Sequence, residues 1–252
     1  MDCSVTEPLP LRLFVVAGEP SGDQLGAALV AALKAMGMPL ELMGVGGPAL
    51  EGEGLKSLFP MTDIAVMGIG PVLRRLPLIL NRMTMTVSAA LAAKPDVILL
   101  IDSPDFCHRV GARLRKADPS IRTVAYVSPT VWAWRPGRAA KMARWCDRLL
   151  AFLPFEPEAH RRLNGPPTLY VGHPLMGRLQ SLRPMEWPRS IPVGRPPRLL
   201  ILPGSRHSEV SRLIAPFGET LARLTREIGP VDAVIPAVPH VCAAIEAAPA
   251  TW

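Results

Sequence analysis

The sequence predicts an α/β protein whose strands are parallel and are connected by helices. A short apolar run at residues 96–101 lies between Pro95 and Pro104. Such a run is typical of a strand buried on both faces of a parallel sheet, although periodicity alone leaves a buried helical segment open. Strand-like runs also alternate with helical patterns, as in βαβ units. A proline-rich stretch, residues 181–197, separates two such series.

These observations predict two domains, at residues 1–180 and 198–252, joined by a linker at 181–197. The second series holds only about two β/α units. A parallel sheet of two strands is difficult to stabilise alone, so we expect the second domain to be incomplete in this chain.

The elements follow from the position of apolar runs, amphipathic periodicity, Gly and Pro. Predicted strands are 11–17, 40–45, 96–101, 121–127, 149–153, a short strand ending at Tyr170, 198–202 and 232–235. Predicted helices are 24–36, 71–93 interrupted by Pro77, 106–117, one carrying Lys141 and Arg144, one from Glu156, 207–228 and 238–248.

The first predicted strand runs into a turn rich in Gly, residues 18–23. Gly18, Gly22 and Gly26 do not have the spacing of the dinucleotide-binding fingerprint, which disfavours a dehydrogenase. A ligand held against the following helix N-terminus and a purely structural, capped turn both remain open.

Two carboxylates, Asp102 and Asp105, follow the central strand. The carboxyl ends of strands in open α/β sheets are where ligands bind, so these side chains are candidates for chemistry. The alternative is that they cap the next helix.

Three further stretches suggest binding sites. Apolar residues alternate with arginines near residue 70, which suits either a helix in a membrane interface or an ordinary core helix. Residues 128–138 bring Trp132, Trp134 and Arg135 into one strand-to-helix loop, a candidate acyl or sugar pocket. The turn Gly204-Ser205-Arg206 precedes a long helix and is a candidate phosphate site.

Composition narrows the class of protein. A formal net charge of +7 favours an anionic partner, which charge alone does not identify. Four scattered cysteines indicate reduced thiols rather than a zinc or disulfide framework. No apolar run of about 18 residues and no secretory signal are evident, so we expect neither a membrane span nor export.

Seven short strings together resemble the lipid-A-disaccharide synthase family, inverting glycosyltransferases with two Rossmann-like domains of GT-B type. They occur in the family's order and are Val16–Asp23, Ala65–Gly68, Ile101–Phe106, Tyr126–Arg135, Leu153–Glu156, Val171–Pro174 and Leu202–Arg206. Cys107 departs from the family, which usually has Asn at this position.

The resemblance implies transfer of 2,3-diacylglucosamine from UDP to the 6-hydroxyl of 2,3-diacylglucosamine 1-phosphate. This releases UDP and forms the β-1,6 disaccharide precursor in lipid A and lipopolysaccharide biosynthesis. The catalytic candidates are Asp102, which matches the family's proposed general base, and Glu19 and Ser21, which would face the reacting sugars. The remaining substrate-binding candidates are Gly18, Gly22, Asp23, Asp105, Ser128, Trp132, Trp134 and Arg135. Gly204, Ser205 and Arg206 would hold the diphosphate of UDP.

The resemblance also implies a peripheral protein on the cytoplasmic face of a Gram-negative inner membrane. The membrane-binding candidates are Val66, Met67, Ile69, Leu73 and Leu76. We expect no metal, no cofactor and no nucleic-acid partner, and a homodimer is left open. Family members continue into a uridine-binding motif that this chain lacks, so we expect a C-terminal truncation. The alternatives are an inactive membrane- or lipid-binding fragment and another GT-B nucleotide-sugar transferase.

Overall fold

The computed structural model describes residues 9–65, 69–174, 176, 195–205 and 207–247, with the backbone alone at 69–73 and 239–240. The chain divides into two compact units, Met1–Leu182 and Arg183–Trp252. Most of the predicted linker falls outside the described residues, and its bounds stay a prediction.

In the first unit, strands and helices alternate along the chain. The strands are β1 (Leu11–Ala17), β2 (Leu40–Val45), β3 (Lys56–Ser57), β4 (Val97–Ile101), β5 (Thr123–Tyr126), β6 (Arg148–Ala151) and β7 (Thr168–Tyr170). The helices are α1 (Pro20–Ala35), α2 (Pro48–Gly52), α3 (Ile69–Ala93), α4 (Pro104–Ala117), α5 (Gly137–Met142) and α6 (Glu156–Arg162). The α/β class is confirmed.

The strands of this unit form one parallel sheet in the order β3-β2-β1-β4-β5-β6-β7. Alternate side chains of β1 and β4 enter two separate apolar clusters, one on each face of the sheet. Leu13, Val15, Leu99 and Ile101 share one cluster with Val30 of α1 and Leu50 of α2, whereas Phe14, Val16, Ile98 and Leu100 share the other with Met83 of α3 and Val110 of α4. Burial on both faces explains the apolar run that predicted β4.

The structure differs from the sequence predictions at particular boundaries. Helix α1 begins at Pro20 rather than Gln24, and α4 begins at Pro104 rather than Phe106, because proline is favourable in the first helical turn. Helix α3 continues through Pro77, which is exposed, so the predicted interruption is wrong. Strand β3, two residues long, was not predicted, because so short a strand carries no periodicity.

The second unit, within the described residues, contains β8 (Arg198–Leu200), β9 (Asp232–Val234), α7 (His207–Ile228) and α8 (Pro239–Glu246). The strands pair in parallel and Arg198 forms an ion pair with Asp232 across them at 2.8 Å. Leu200 and Leu202 expose more than half of their surface. Within the described residues, this is a small βαβ unit that exposes apolar side chains at the end of β8.

Candidate active site

The strand order of the first unit reverses between β1 and β4, because β2 and β3 extend the sheet on one side and β5, β6 and β7 on the other. Loops that leave adjacent strands at such a switch point diverge and leave a crevice, which is where open α/β sheets bind ligands. Glu19 lies two residues after β1, and Asp102 directly follows β4. Two predicted catalytic carboxylates therefore lie at the switch point.

The loop that carries Asp102 has an unusual backbone. Asp102 and Ser103 have φ angles of +50° and +44°, a left-handed conformation that is costly for residues with a side chain. The N–H of Asp102 donates a hydrogen bond to the carbonyl of Tyr126 at 3.0 Å, which holds the loop against β5. Gly18 makes room for it, because a Cβ at this position would lie 2.5 Å from Ser103 Oγ. Backbone strain of this kind is concentrated at functional sites.

The carboxylates of Asp102 and Glu19 both act on the buried thiol of Cys107. Burial raises the pKa of Cys107, and the negative charges of Asp102 and Glu19 raise this pKa further. The thiol is thus neutral and lies near the carbonyls of Val16 and Ile101. Cys107 fills the base of the site as a small apolar side chain.

Ser21 connects the first turn to the candidate base. Its hydroxyl donates a long hydrogen bond to Asp102 Oδ2, at 3.4 Å. Ser21 is exposed, while Asp102 is half-buried. The structure therefore brings together Ser21 and Asp102, which the sequence analysis assigned to one site from positions 81 residues apart.

Asp23 has a structural position. Its side chain is 3% exposed, and its carboxylate accepts three backbone N–H hydrogen bonds, from Gly47 at 2.8 Å, Ala49 at 2.9 Å and Leu50 at 3.1 Å. These donors lie at the start of α2, whose N–H groups have no partner within the helix. Neighbouring Gly22 is also buried and packs α1 against the end of β4, because a Cβ there would lie 3.4 Å from the carbonyl of Ile101. Substrate contact by Asp23 or Gly22 stays a prediction.

Asp105 forms an ion pair with Arg138 at 2.9 Å and so joins the start of α4 to the start of α5. The Asp105 side chain is largely exposed, whereas that of Arg138 is mostly covered. This position agrees with a role in orienting the loop, and binding of substrate by Asp105 stays a prediction.

His108, on α4, is close enough to this ion pair for both of its charges to affect the imidazole. Burial, with a further contribution from Arg138, lowers the pKa of His108 to about 4, so the ring is neutral at pH 7. The ring packs against Trp145, with centroids 5.3 Å apart. His108 and Asp102 both line a cavity of about 20 Å³, which is sufficient for one water molecule.

Residues 128–138, the tryptophan loop, follow β5 and lie at the same edge of the sheet. Trp132 and Trp134 are 37% and 60% exposed. The Trp132 ring meets Phe155 edge-on with centroids 5.0 Å apart, and the Arg135 guanidinium lies 5.2 Å from the Trp134 ring centroid. An exposed aromatic surface beside a cation can take a ligand that has both apolar and anionic parts.

Ser128, at the start of this loop, is buried and lies 2.8 Å from His160 Nε2 of α6. The sequence analysis assigned no role to His160. A local pattern cannot reveal it, because the two partners lie 32 positions apart.

The predicted phosphate turn belongs to the second unit. Gly204 has a φ of +107°, which favours glycine, and the N–H of Ser205 donates to Glu209 Oε2 at 3.0 Å. Arg206 lies outside the described residues. A role of this turn in binding diphosphate stays a prediction.

The predicted membrane-binding segment is described only in part. Val66 and Met67 lie outside the described residues, and the side chains of Ile69 and Leu73 are not described. Leu76 is exposed on α3. Within the described chain, one stretch, Arg74–Ala93, is long and apolar enough to cross a membrane by length and composition.

One face of the second half of α3 nevertheless packs into the core of the first unit. Met83, Thr86 and Ala90 are buried, and Arg82 pairs with Asp63 at 2.8 Å while lying 5.0 Å from the Phe59 ring centroid. Core helices of soluble proteins pass the same test of length and composition, so the stretch is weak evidence for a span.

Known proteins resemble this chain along almost its entire length. The family model described as Lipid-A-disaccharide synthetase matches residues 13–251. The lipid-A-disaccharide synthase of Rhodopseudomonas palustris (strain HaA2) is 54% identical over 96% of this chain and 62% of its own length. That of Nitrobacter hamburgensis is 48% identical over 96% of this chain and 61% of its own length. The chain thus spans about three fifths of the length of these relatives.

Solved structures share the fold at low sequence identity. A putative UDP-N-acetylglucosamine 2-epimerase from Listeria monocytogenes has a TM-score of 0.64 and 13% identity, covering 96% of this chain and 67% of that one. The glycotransferase of kitacinnamycin has a TM-score of 0.53 and 15% identity, covering 97% of this chain and 70% of that one. These likenesses confirm the predicted α/β fold of GT-B type. The family model and the close relatives show that this chain belongs to the lipid-A-disaccharide synthase family.

Proposed function

We propose that this chain acts as an inverting glycosyltransferase that joins UDP-2,3-diacylglucosamine to 2,3-diacylglucosamine 1-phosphate, with release of UDP. Relatives that cover almost the whole chain are named lipid-A-disaccharide synthase. The observation that carries the proposal is the half-buried Asp102 carboxylate at the switch point of the sheet, within reach of Ser21. A carboxylate in this place is suited to act as a general base.

In the proposed reaction, Asp102 removes the proton from the 6-hydroxyl of the acceptor. The oxygen forms a bond with C1 of the donor sugar while the bond between C1 and UDP breaks, and the electron pair leaves with the diphosphate. Attack opposite the leaving group inverts C1. Glu19 and Ser21, from the neighbouring loop, would face the same sugars.

The exposed aromatic surface beside β5 supports an acylated substrate. Trp132 and Trp134 offer apolar area for an acyl chain, and Arg135 offers a cation for a phosphate. Both proposed substrates combine these two features.

In the second unit, Gly204, Ser205 and Arg206 would receive the diphosphate of UDP. In the structure, the Ser205 N–H donates to the Glu209 carboxylate, so an anion already lies against this turn. An incoming diphosphate would take the place of that carboxylate. The exchange is favourable only if further donors reach the diphosphate, a role we assign to Arg206.

We further propose that the protein lies peripherally on the cytoplasmic face of the inner membrane, where an anionic surface would meet α3. The first half of α3 supports this, because Leu76 and Leu80 are exposed beside exposed Arg74 and Arg75. Apolar side chains next to arginines suit an interface that contains anionic headgroups.

Replacing Asp102 with Asn tests the proposed base. We expect release of UDP from the two diacylated sugars in mixed micelles to fall by about a hundredfold or more, the usual contribution of a general base. Asp96→Asn is the matched control, because Asp96 lies at the opposite end of β4 and accepts a hydrogen bond from the Arg12 N–H. Equal rates for Asp102→Asn and Asp96→Asn would remove Asp102 as the base.

A second candidate function is membrane or lipid binding without catalysis. The exposed Leu76 and Leu80 beside exposed Arg74 and Arg75 of α3 favour it. Binding of the chain to anionic vesicles with no release of UDP would support this candidate over the transferase.

A further inference from the structure

The tryptophan loop leaves β5 through a strained residue. Val127 has a φ of +80°, in the left-handed region, and it is β-branched, which makes this conformation especially unfavourable. Its N–H donates to the carbonyl of Leu150 at 3.0 Å, so it remains attached to β6. A residue in such a conformation persists only where its surroundings hold it. The next residue, Ser128, supplies one such restraint.

The hydrogen bonds of Ser128 indicate which ring nitrogen of His160 carries the proton. The Ser128 hydroxyl donates to the carbonyl of Pro129 at 3.1 Å and lies 2.8 Å from His160 Nε2. Since the hydroxyl has only one proton, which the Pro129 carbonyl can accept, we assign the N–H of the ring to Nε2, where it donates to Ser128 Oγ. Burial lowers the pKa of His160 and so favours the neutral ring, in which this assignment leaves Nδ1 as the bare nitrogen.

That bare nitrogen is closed off from solvent. His160 is fully buried, and Nδ1 has no hydrogen-bond partner within the described chain. Gly165 lies directly over it, because a Cβ at this position would come within 2.4 Å of Nδ1. A buried, unpartnered polar atom requires an explanation. Here the ring uses its single donor for Ser128, and burial lowers the pKa of His160.

Helix α6 holds the same loop at a second point. Phe155, at the start of α6, contacts Trp132 edge-on. The start of the helix is itself fixed, because buried Glu156 accepts a hydrogen bond from the Leu153 N–H at 2.9 Å. One short helix thus restrains the loop at Ser128, through His160, and at Trp132, through Phe155.

We propose that His160 is a positioning residue that holds the 127–135 loop, through Ser128, in the conformation that presents Trp132, Trp134 and Arg135 to an acylated sugar phosphate. The inference rests on the proposed function for the identity of this ligand. The loop restraint itself does not depend on that identity.

The first measurement is hydrogen exchange at the amides of residues 130–135 in the 252-residue chain. His160→Leu removes the donor, Ser128→Ala removes its acceptor, and His160→Gln keeps an N–H at a similar reach. We expect about tenfold faster exchange in the first two variants, since one lost hydrogen bond corresponds to about 1 kcal/mol or slightly more. His160→Gln should stay within about twofold of the unchanged chain.

Arg161→Leu is the control on the same helix, because Arg161 is exposed and pairs only locally with Glu158 among the described residues. It should leave exchange in the loop unchanged. The double variant His160→Leu/Ser128→Ala should exchange no faster than the faster single variant, because the two changes break the same bond. Unchanged loop exchange in Ser128→Ala, the milder substitution, would overturn the proposal.

The second measurement is the affinity for a short-chain 2,3-diacylglucosamine 1-phosphate, followed by the ¹⁹F signal of fluorotryptophan at Trp132. We expect about five- to tenfold weaker binding in His160→Leu and Ser128→Ala, with rescue in His160→Gln. A residue that only stabilises the fold would lower the unfolding temperature while leaving this affinity unchanged, and that result would also overturn the proposal. If the two variants exchange faster in the loop but even the unchanged chain binds no sugar phosphate, the restraint by His160 stands and the result counts against the proposed function.

Discussion

Replacing Asp23 with Ala is expected to destabilise the first unit by about 3–5 kcal/mol. The carboxylate is buried and accepts three backbone N–H hydrogen bonds at 2.8, 2.9 and 3.1 Å from the start of α2. A hydrogen bond to a charged group contributes about 1.5–3 kcal/mol, and the three are not additive because α2 can partly rearrange. The total is large because the donors would be left without partners.

Asp23→Asn distinguishes the hydrogen bonds made by the two carboxylate oxygens of Asp23. Oδ1 accepts from Gly47 and Leu50, whereas Oδ2 accepts from Ala49. An Asn side chain can keep the first pair of hydrogen bonds, but its amide would face the Ala49 N–H, so we expect a loss of about 1–3 kcal/mol. Glu51→Ala, exposed on α2 itself, is the control and should cost less than about 1 kcal/mol.

Native-state hydrogen exchange of the β1 amides measures these losses, because their protection reports opening of the first unit. Exchange in Asp23→Ala as slow as in the unchanged chain, together with weaker binding of the sugar substrates, would refute the structural role. Asp23 would then contact substrate, as the family resemblance implies.

Three further predictions follow from the geometry. Gly18→Ala should destabilise the first unit by about 1–3 kcal/mol, because the new Cβ would lie 2.5 Å from Ser103 Oγ. Adding Ser103→Gly should restore most of the lost stability, as measured by thermal unfolding. An unshifted melting temperature in Gly18→Ala would contradict this. The pKa of His108 is about 4 in the fold against 6.5 for a free His, so the unfolded chain binds more protons between these values and the free energy of unfolding falls as the pH drops from 6.5 to 4. Between pH 7 and pH 5, urea unfolding of His108→Phe should therefore show a decrease in this free energy that is about 2 kcal/mol smaller than in the unchanged chain. An equal decrease in both would refute this. Leu76→Ser with Leu80→Ser should weaken sedimentation with anionic vesicles several-fold, and unchanged sedimentation would place these side chains outside the membrane contact.

Local sequence patterns were sufficient to predict which side chains lie at the carboxyl edge of the sheet directly after a strand. Asp102 was identified because an apolar run ends directly before it, and the parallel sheet then places it beside the β1 loop. Ser21 was assigned to the same site by the family resemblance, because the Gly-rich turn alone left a structural role open. The Asp102 prediction needs only the order of elements along the chain.

The remaining features depend on contacts between distant positions. The Asp23 carboxylate reaches the start of α2, 24 to 27 residues away, and His160 reaches Ser128 across 32. Nothing in the sequence near these residues specifies such partners. Helix α3 continues through Pro77 for a related reason, since a helix whose second half packs one face on the core can accommodate one exposed proline.

Reactivity of the chain itself tests the central claim most directly. The 252-residue chain would be given UDP-2,3-diacylglucosamine and 2,3-diacylglucosamine 1-phosphate in mixed micelles, with a full-length relative as the positive control. Mass spectrometry and NMR of the sugar C1 proton would follow the product. The account predicts a disaccharide 1-phosphate with an inverted, β-configured linkage, formed about a hundredfold or more slowly by Asp102→Asn. A product with retained configuration, or none from this chain while the relative produces it, would contradict the account.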